Sequence, residues 1–244
     1  LAGHKIQVSN PSEEHWLENI MELGWNLYLC STPPFLLQTA VDQRVNEYTQ
    51  LAFEGKFDEA RRVRDSLEPV RQALDCDTDG WDLFALSGQG EHFAQDWWPN
   101  IERQTAAGNW QAYAIEDTAT GRVVGTSSFL NHVPGRQKVE IGGTFLHPSV
   151  RATHVNPASK LLMLQHAFDH GARRVELLTD ARNLRSQAAI AKLGAVREGV
   201  ARRDRVTWTG HIRDSVVYAI TDLDWPAVRQ GLLTRLQSMA SPSA

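Results

Sequence analysis

The chain has 244 residues, 42% hydrophobic and 22% charged, with a formal net charge of −4 and a mean hydropathy of −0.37. These are globular values, which exclude a mainly disordered chain. No apolar run approaches the ~18 residues of a membrane helix, and the acidic balance offers no global attraction to nucleic acid. Two cysteines, Cys30 and Cys76, cannot build a disulfide scaffold or a Cys-rich zinc site; they point to a reducing, cytoplasmic compartment. The chain starts at Leu1 without a secretory signal, so it is expected to be a piece of a longer protein or a trimmed one.

Residues 1–75 read as mainly helical. Lys5–Asn10 alternates as a short strand, and Ser12 caps a helix with apolar residues at Trp16, Leu17, Ile20 and Met21. Asn26–Cys30 is a second short strand. Helices over Phe35–Phe53 and Phe57–Leu74 follow Pro33 and Pro34, the second with a stripe of Ala60, Val63, Leu67, Val70 and Leu74. The turn-rich stretch 75–90 separates this region from residues 76–244, which read as mixed α/β. Glu91–Ala107 is an amphipathic helix. Gln111–Glu116 and Arg122–Leu130 form a hairpin, and Lys138–Leu146 is a third strand. A helix over Pro157–His170 is capped by Asn156 and closed by Gly171. The strand Arg174–Thr179, the helix Leu184–Leu193 and the long hairpin Val196–Trp208 with His211–Ile220 come next. Asp224 caps a last helix carrying Val228, Leu232 and Leu236.

Five stretches in this order carry a resemblance: VEIGGTFLHP (139–148), VNPASKLLMLQHAF (155–168), RRVELLTDARNLRSQAAIAKLGA (173–195), EG (198–199) and RDSVVYAITDLDWP (213–226). Residues 80–240 resemble the GNAT N-acetyltransferases, nearest the group with the ribosomal-protein-alanine N-acetyltransferases. The resemblance implies an α+β fold with a mixed, mostly antiparallel sheet, in which Lys138–Leu146 splays from Arg174–Thr179. It implies acetyl-CoA in the gap as cosubstrate, no metal, and a primary amine, either a protein N-terminus or a small molecule, as acceptor. The cosubstrate's diphosphate would meet the turn before the helix near Pro157, where free N–H groups favour anions. The cofactor residues so implied are Phe145, Leu146, Arg151, Thr153, His154, Val155, Asn156, Asn183 and Ser186. The family turn Gln/Arg-x-x-Gly-x-Gly/Ala is here Arg151-Ala152-Thr153-His154-Val155-Asn156, with both glycines missing. Arg151, His154 and Lys160 stand as alternative sources of positive charge.

An amine that attacks a thioester must first lose a proton, and carboxylates accept protons well. Glu140 is the first candidate base; strand alternation groups it with Gly142 and Thr144. Asp204 is the second. A backbone N–H near Thr144–Leu146 would meet the oxyanion. The family's tyrosine, seven residues after its Asn, is replaced by Ile190, which leaves Ser186 or water to protonate the departing thiolate. The missing glycines and Ile190 also motivate a degenerate CoA-binding or protein-interaction module.

Two stretches of the first region, LYLCSTPPFLLQTAVDQ (27–43) and LAFEGKFDEARRVRDSLEPVRQAL (51–74), resemble the C-terminal part of the dihydrodipicolinate synthase / N-acetylneuraminate lyase family. That resemblance implies the C-terminal half of a bifunctional aldolase–acetyltransferase. In a rival parse, Lys5–Asn10 and Ser12–Leu23 open the acetyltransferase fold and residues 26–80 are a helical insertion. Under either parse the flank covers the acetyltransferase sheet or mediates a homodimer, and no membrane or nucleic-acid partner is expected.

Overall fold

The computed structural model describes residues 7–8, 68–117 and 120–240. The segments 12–23, 27–43 and 51–67, with the strand and helices expected there, lie outside the described residues. Two short helices, α1 (Glu68–Leu74) and α2 (Thr78–Trp81), lead into a π-helical turn at Phe93–Trp97 and α3 (Trp98–Ala106). The expected single helix over Glu91–Ala107 is thus two pieces. Pro99 has no N–H for the carbonyl four residues back, and the Trp98 N–H donates instead to the Phe93 carbonyl, five residues back.

The sheet contains β1 (Gln7–Val8), β2 (Trp110–Asp117), β3 (Arg122–Val133), β4 (Lys138–Leu146), β5 (Arg174–Asp180), β6 (Val196–Val206) and β7 (Ile212–Thr221). Its order is β1-β2-β3-β4-β5-β7-β6. Only β1/β2 and β4/β5 are parallel pairs; the rest are antiparallel. Between β4 and β5 runs α4 (Val155–Asp169), and α5 (Leu184–Ala191) and α6 (Trp225–Ala240) complete the fold. The α4 helix begins two residues before the expected Pro157, with His154 rather than Asn156 at its N-cap. The Asp224 carboxylate does not cap α6; it accepts from the Thr221 N–H at 2.9 Å and hydroxyl at 2.6 Å.

Two apolar clusters cover the two faces of the sheet. One joins Val139, Ile141, Val175, Leu177 and Ile220 to α4 (Leu161, Leu164), α5 (Ile190) and α6 (Val228, Leu232). The other joins Leu74, Trp81, Phe93, Trp97 and Ile101 to Ala112 and Phe145. The division expected at residues 75/76 falls between Leu74 and Trp81, which share this second cluster. The Trp81 Nε1–H donates to the Leu74 carbonyl at 3.0 Å.

Val139 and Ile141 face one cluster, whereas Phe145 faces the other. Strict alternation would put all three on one side. A β-bulge accounts for the reversal: Thr126 pairs with Phe145 and Ser128 with Gly142, so Ser127 alone stands opposite Gly143 and Thr144. Gly143 takes φ +58, a left-handed conformation that glycine adopts without a Cβ penalty. The expected grouping of Glu140, Gly142 and Thr144 on one face is therefore corrected, because the bulge turns Thr144 to the α4 side. Beyond the bulge, Gly125 lies opposite Leu146, and a Cβ there would collide with the Phe145 carbonyl oxygen and stand 2.8 Å from Leu146 Cδ2.

Gly125→Ala is expected to destabilise the fold by about 1–3 kcal/mol, since backbone must move to admit the methyl group. Gly199→Ala, where a Cβ meets nothing within 4 Å, should stay within about 0.5 kcal/mol. Urea denaturation midpoints of the two variants check the contrast.

Candidate active site

The pairing of β4 with β5 stops after three registers, ending at Glu140↔Glu176. Beyond that point the β5-facing edge of β4 makes no ladder bonds, and the strands part. A cavity of about 540 Å³ runs through the gap. Its lining extends from Arg151, Ala152 and Asn156 at one end, past Thr144, Asn183 and Ser186, to Glu140, Arg205 and Arg213. The floor on one side is aromatic: Trp81 stacks on Phe145, with centroids 4.2 Å apart and planes 7° apart.

Glu140 is buried, 4% exposed, and accepts a hydrogen bond from Asn131 Nδ2 at 2.8 Å. Burial raises its pKa above the ordinary carboxylate range, against the opposing pull of Arg205, the Asn131 bond and Arg213. Gly142 preserves the space beside it: a Cβ there would stand 3.0 Å from Glu140 Oε1. Asp204 is placed differently. Its Oδ2 accepts from Ser215 Oγ at 2.7 Å and Arg205 Nε at 2.6 Å, and its pKa is lowered: burial pushes it up but is outweighed by these hydrogen bonds and the arginine charges. Arg205, not Asp204, lines the cavity. Arg213, which sequence reading did not single out, is 7% exposed, donates to Ser215 Oγ at 2.9 Å, and lines the same end.

At the other end, Phe145, Leu146, Arg151, Asn156, Asn183 and Ser186 line the cavity, whereas Thr153, His154 and Val155 do not. Asn183 is the N-cap of α5; its Oδ1 accepts from the Ser186 N–H at 2.9 Å. Arg151 donates through Nε to the Leu146 carbonyl at 2.9 Å and pairs with Asp77, which Arg185 also approaches at 3.7 Å. Asp77 and Arg185 escaped sequence reading because they come from elements far apart in the chain. The turn before α4 departs from a glycine-built anion cradle. Ala152 occupies the left-handed region at φ +61, the Val155 N–H is taken by Thr153 Oγ1 at 3.3 Å, and Pro157 has no N–H. Burial lowers the pKa of His154, so it is a poor source of positive charge near neutral pH. Lys160 is turned away from this turn altogether: its Nζ donates to Ser127 Oγ at 2.8 Å and Thr144 Oγ1 at 2.6 Å.

A family model described as an acetyltransferase (GNAT) domain matches residues 64–196, more than half of the chain. The chain belongs to the GNAT acetyltransferase family. An acetyltransferase-assigned structure from T. thermophilus is 32% identical, with 67% of this chain and 86% of that one covered at a TM-score of 0.60. A GCN5-related N-acetyltransferase from Brucella melitensis is 22% identical over 72% of this chain and 80% of that one, TM-score 0.60. Mycobacterium smegmatis RimJ in complex with CoA-disulfide is 20% identical over 68% and 82%, TM-score 0.57. The last two likenesses concern the fold alone. No curated protein matches significantly, and nothing in the comparisons supports the lyase resemblance of residues 1–75. The GNAT fold and its mixed sheet agree with the expectation from residues 80–240.

The raised pKa of Glu140 has a consequence for stability. Unfolded, this carboxyl loses its proton at ordinary carboxylate pH; folded, it holds it to higher pH. Stability therefore falls as pH rises between the two pKa values, because the folded state binds more protons there. Glu140→Gln keeps an acceptor for Asn131 and removes this cost. Its melting temperature should exceed that of the parent protein by a few degrees at about pH 8 and match it near about pH 4, measured by calorimetry across pH.

Proposed function

We propose that this protein transfers the acetyl group of acetyl-CoA to a primary amine by direct attack in a ternary complex. The observation that carries the reading is a buried carboxylate of raised pKa, Glu140, at the place where β4 and β5 part. Acetyl-CoA in the gap supplies an acyl carbon on which an amine nitrogen can replace sulfur. Glu140 takes the proton from the incoming ammonium, directly or through a water. A base of raised pKa loses less driving force in accepting that proton than an ordinary carboxylate. The β5-facing edge of β4 is unpaired after the bulge, and a backbone N–H on that edge near Thr144–Leu146 meets the developing oxyanion. Ser186 lines the cavity, and its hydroxyl or a water protonates the leaving thiolate. Arg151 and Arg185 supply charge for the diphosphate, and Asn183 and Ser186 flank the pantetheine arm. The acceptor is a protein N-terminus or a small-molecule amine, and we place the protein in the cytoplasm.

A second reading is favoured by the turn before α4. With Ala152 in a left-handed conformation, one N–H capped by Thr153 and another absent at Pro157, the cradle has fewer donors than a glycine turn. Ile190 also supplies no phenol at the cavity wall. This reading is a module that binds CoA without turnover. For the N-terminal region, the parallel pairing of Gln7–Val8 with Glu116–Asp117 supports the parse in which the acetyltransferase fold begins there and residues 26–80 are an insertion.

Mass spectrometry of an amine and N-terminal peptide panel after incubation with acetyl-CoA tests the reading: a gain of one acetyl group is expected. Glu140→Gln should lower kcat about 10²- to 10⁴-fold. Tight CoA binding without any product, and no effect of Glu140→Gln, would establish the module instead. Arg151→Ala should weaken CoA binding about tenfold by calorimetric titration while leaving kcat within about threefold.

A further inference from the structure

The buried amine of Lys160 has no place in the chemistry described so far. It is only 4% exposed, on a helix, α4, that also buries Ala158, Leu161 and Leu164. Its hydrogen-bond partners are two hydroxyls, Ser127 Oγ at 2.8 Å and Thr144 Oγ1 at 2.6 Å. Those hydroxyls also bond each other at 2.8 Å, which closes a three-membered ring. No carboxylate joins it among the described residues.

The position of the ring is informative. Ser127 is the β3 residue that the bulge leaves without a register partner, and Thr144 is one of the two residues opposite it. A bulge is held by fewer ladder bonds than regular pairing and is free to relax. Here a side chain from a third element bridges its two lips. An amine in this place is costly, and burial lowers its pKa to about 7. An apolar residue would pack more favourably. The ring also stands on the backbone segment, Thr144–Leu146, whose free edge faces the parted strand β5.

Resting on the acetyl-transfer reading above, we infer that Lys160 is a positioning residue: it clamps the β4 bulge so that the backbone N–H on the unpaired, β5-facing edge near Thr144–Leu146 stays aimed at the thioester carbonyl. It touches neither acceptor nor acyl group. It acts through Thr144 and Ser127, and the small Gly143 at φ +58 is the hinge it immobilises. The pocket-lining position of both Thr144 and Lys160 places the clamp against the gap rather than at a remote part of the core.

The test uses Lys160→Met, which fills the same space without the amine, and Thr144→Val and Ser127→Ala, which open the ring from the sheet side and remain available if the first variant fails to fold. Three readouts separate positioning from mere stability. In the free protein, amide hydrogen exchange at residues 144–146 should accelerate about tenfold while α4 is unchanged. CoA affinity should stay within about threefold while kcat falls about tenfold or more. The ¹³C carbonyl resonance of bound, carbonyl-labelled acetyl-CoA should move toward its free value. Lys160→Met combined with Thr144→Val should be no worse than either alone, since both break one ring. Unchanged exchange and carbonyl shift in Lys160→Met would overturn the inference, as would a parallel decline of affinity, kcat and melting temperature. If the parent protein acetylates no amine but polarises the bound carbonyl in a Lys160-dependent way, the acetyl-transfer reading fails and the clamp stands.

Discussion

Everything in the candidate site depends on how β4 leaves the sheet. It is paired on both edges as far as Glu140, and only on the β3 edge beyond. The extra residue at Gly143–Thr144 reverses the faces of the strand at about the same place. Increased twist at a bulge is what allows two parallel neighbours to diverge. One irregularity thus produces the gap, exposes a row of main-chain groups to it, and turns Phe145 onto Trp81. The parted strands are what distinguish this sheet from a continuous mixed sheet with a solvent-inaccessible centre.

The energetics of the site follow from burial on both sides of that gap. On one side, Glu140 lies in a low-dielectric pocket with the guanidinium groups of Arg205 and Arg213 near enough to moderate, but not cancel, its desolvation. On the other, Lys160 bears a desolvation penalty with only hydroxyls as partners. Neither arrangement favours folding as an apolar replacement would. These two costly groups line one and the same cavity. The Asp204–Ser215 and Asp180–Arg182 contacts, by contrast, are satisfied polar pairs that hold the end of the β6–β7 hairpin and the start of α5.

The turn before α4, the proposed cofactor end, is built from unusual parts for the family. Arg151 keeps its place, yet its guanidinium is held by Asp77 from the α1–α2 connection, and the two glycine positions of the family turn are His154 and Asn156 here. The family membership and the lining of the gap are consistent with acetyl-CoA. In the proposed function, charge for its diphosphate comes from Arg151 and from Arg185 of α5, both of which stand beside Asp77.

Local pattern sufficed for much of this. The strands at 138–146 and 174–180 and the helices at 155–169 and 184–191 are set by alternation, apolar stripes and closing glycines. The order of those motifs was enough to indicate the fold, and the carboxylate of Glu140 and the cap of Asn183 were legible because each is a property of one segment. What only tertiary structure decided depends on partners from elsewhere. The face that Thr144 presents depends on pairing with β3, since alternation counts residues along one strand and cannot register an extra residue defined by its neighbour. The amine of Lys160 sits at the bulge rather than at the diphosphate turn because α4 lies across β3 and β4. Asp204 yields its place at the cavity to Arg205 because Ser215, on the next strand, takes its carboxylate. Side-chain chemistry is written in the sequence; burial, and the pKa and orientation that burial imposes, exist only once distant segments have packed.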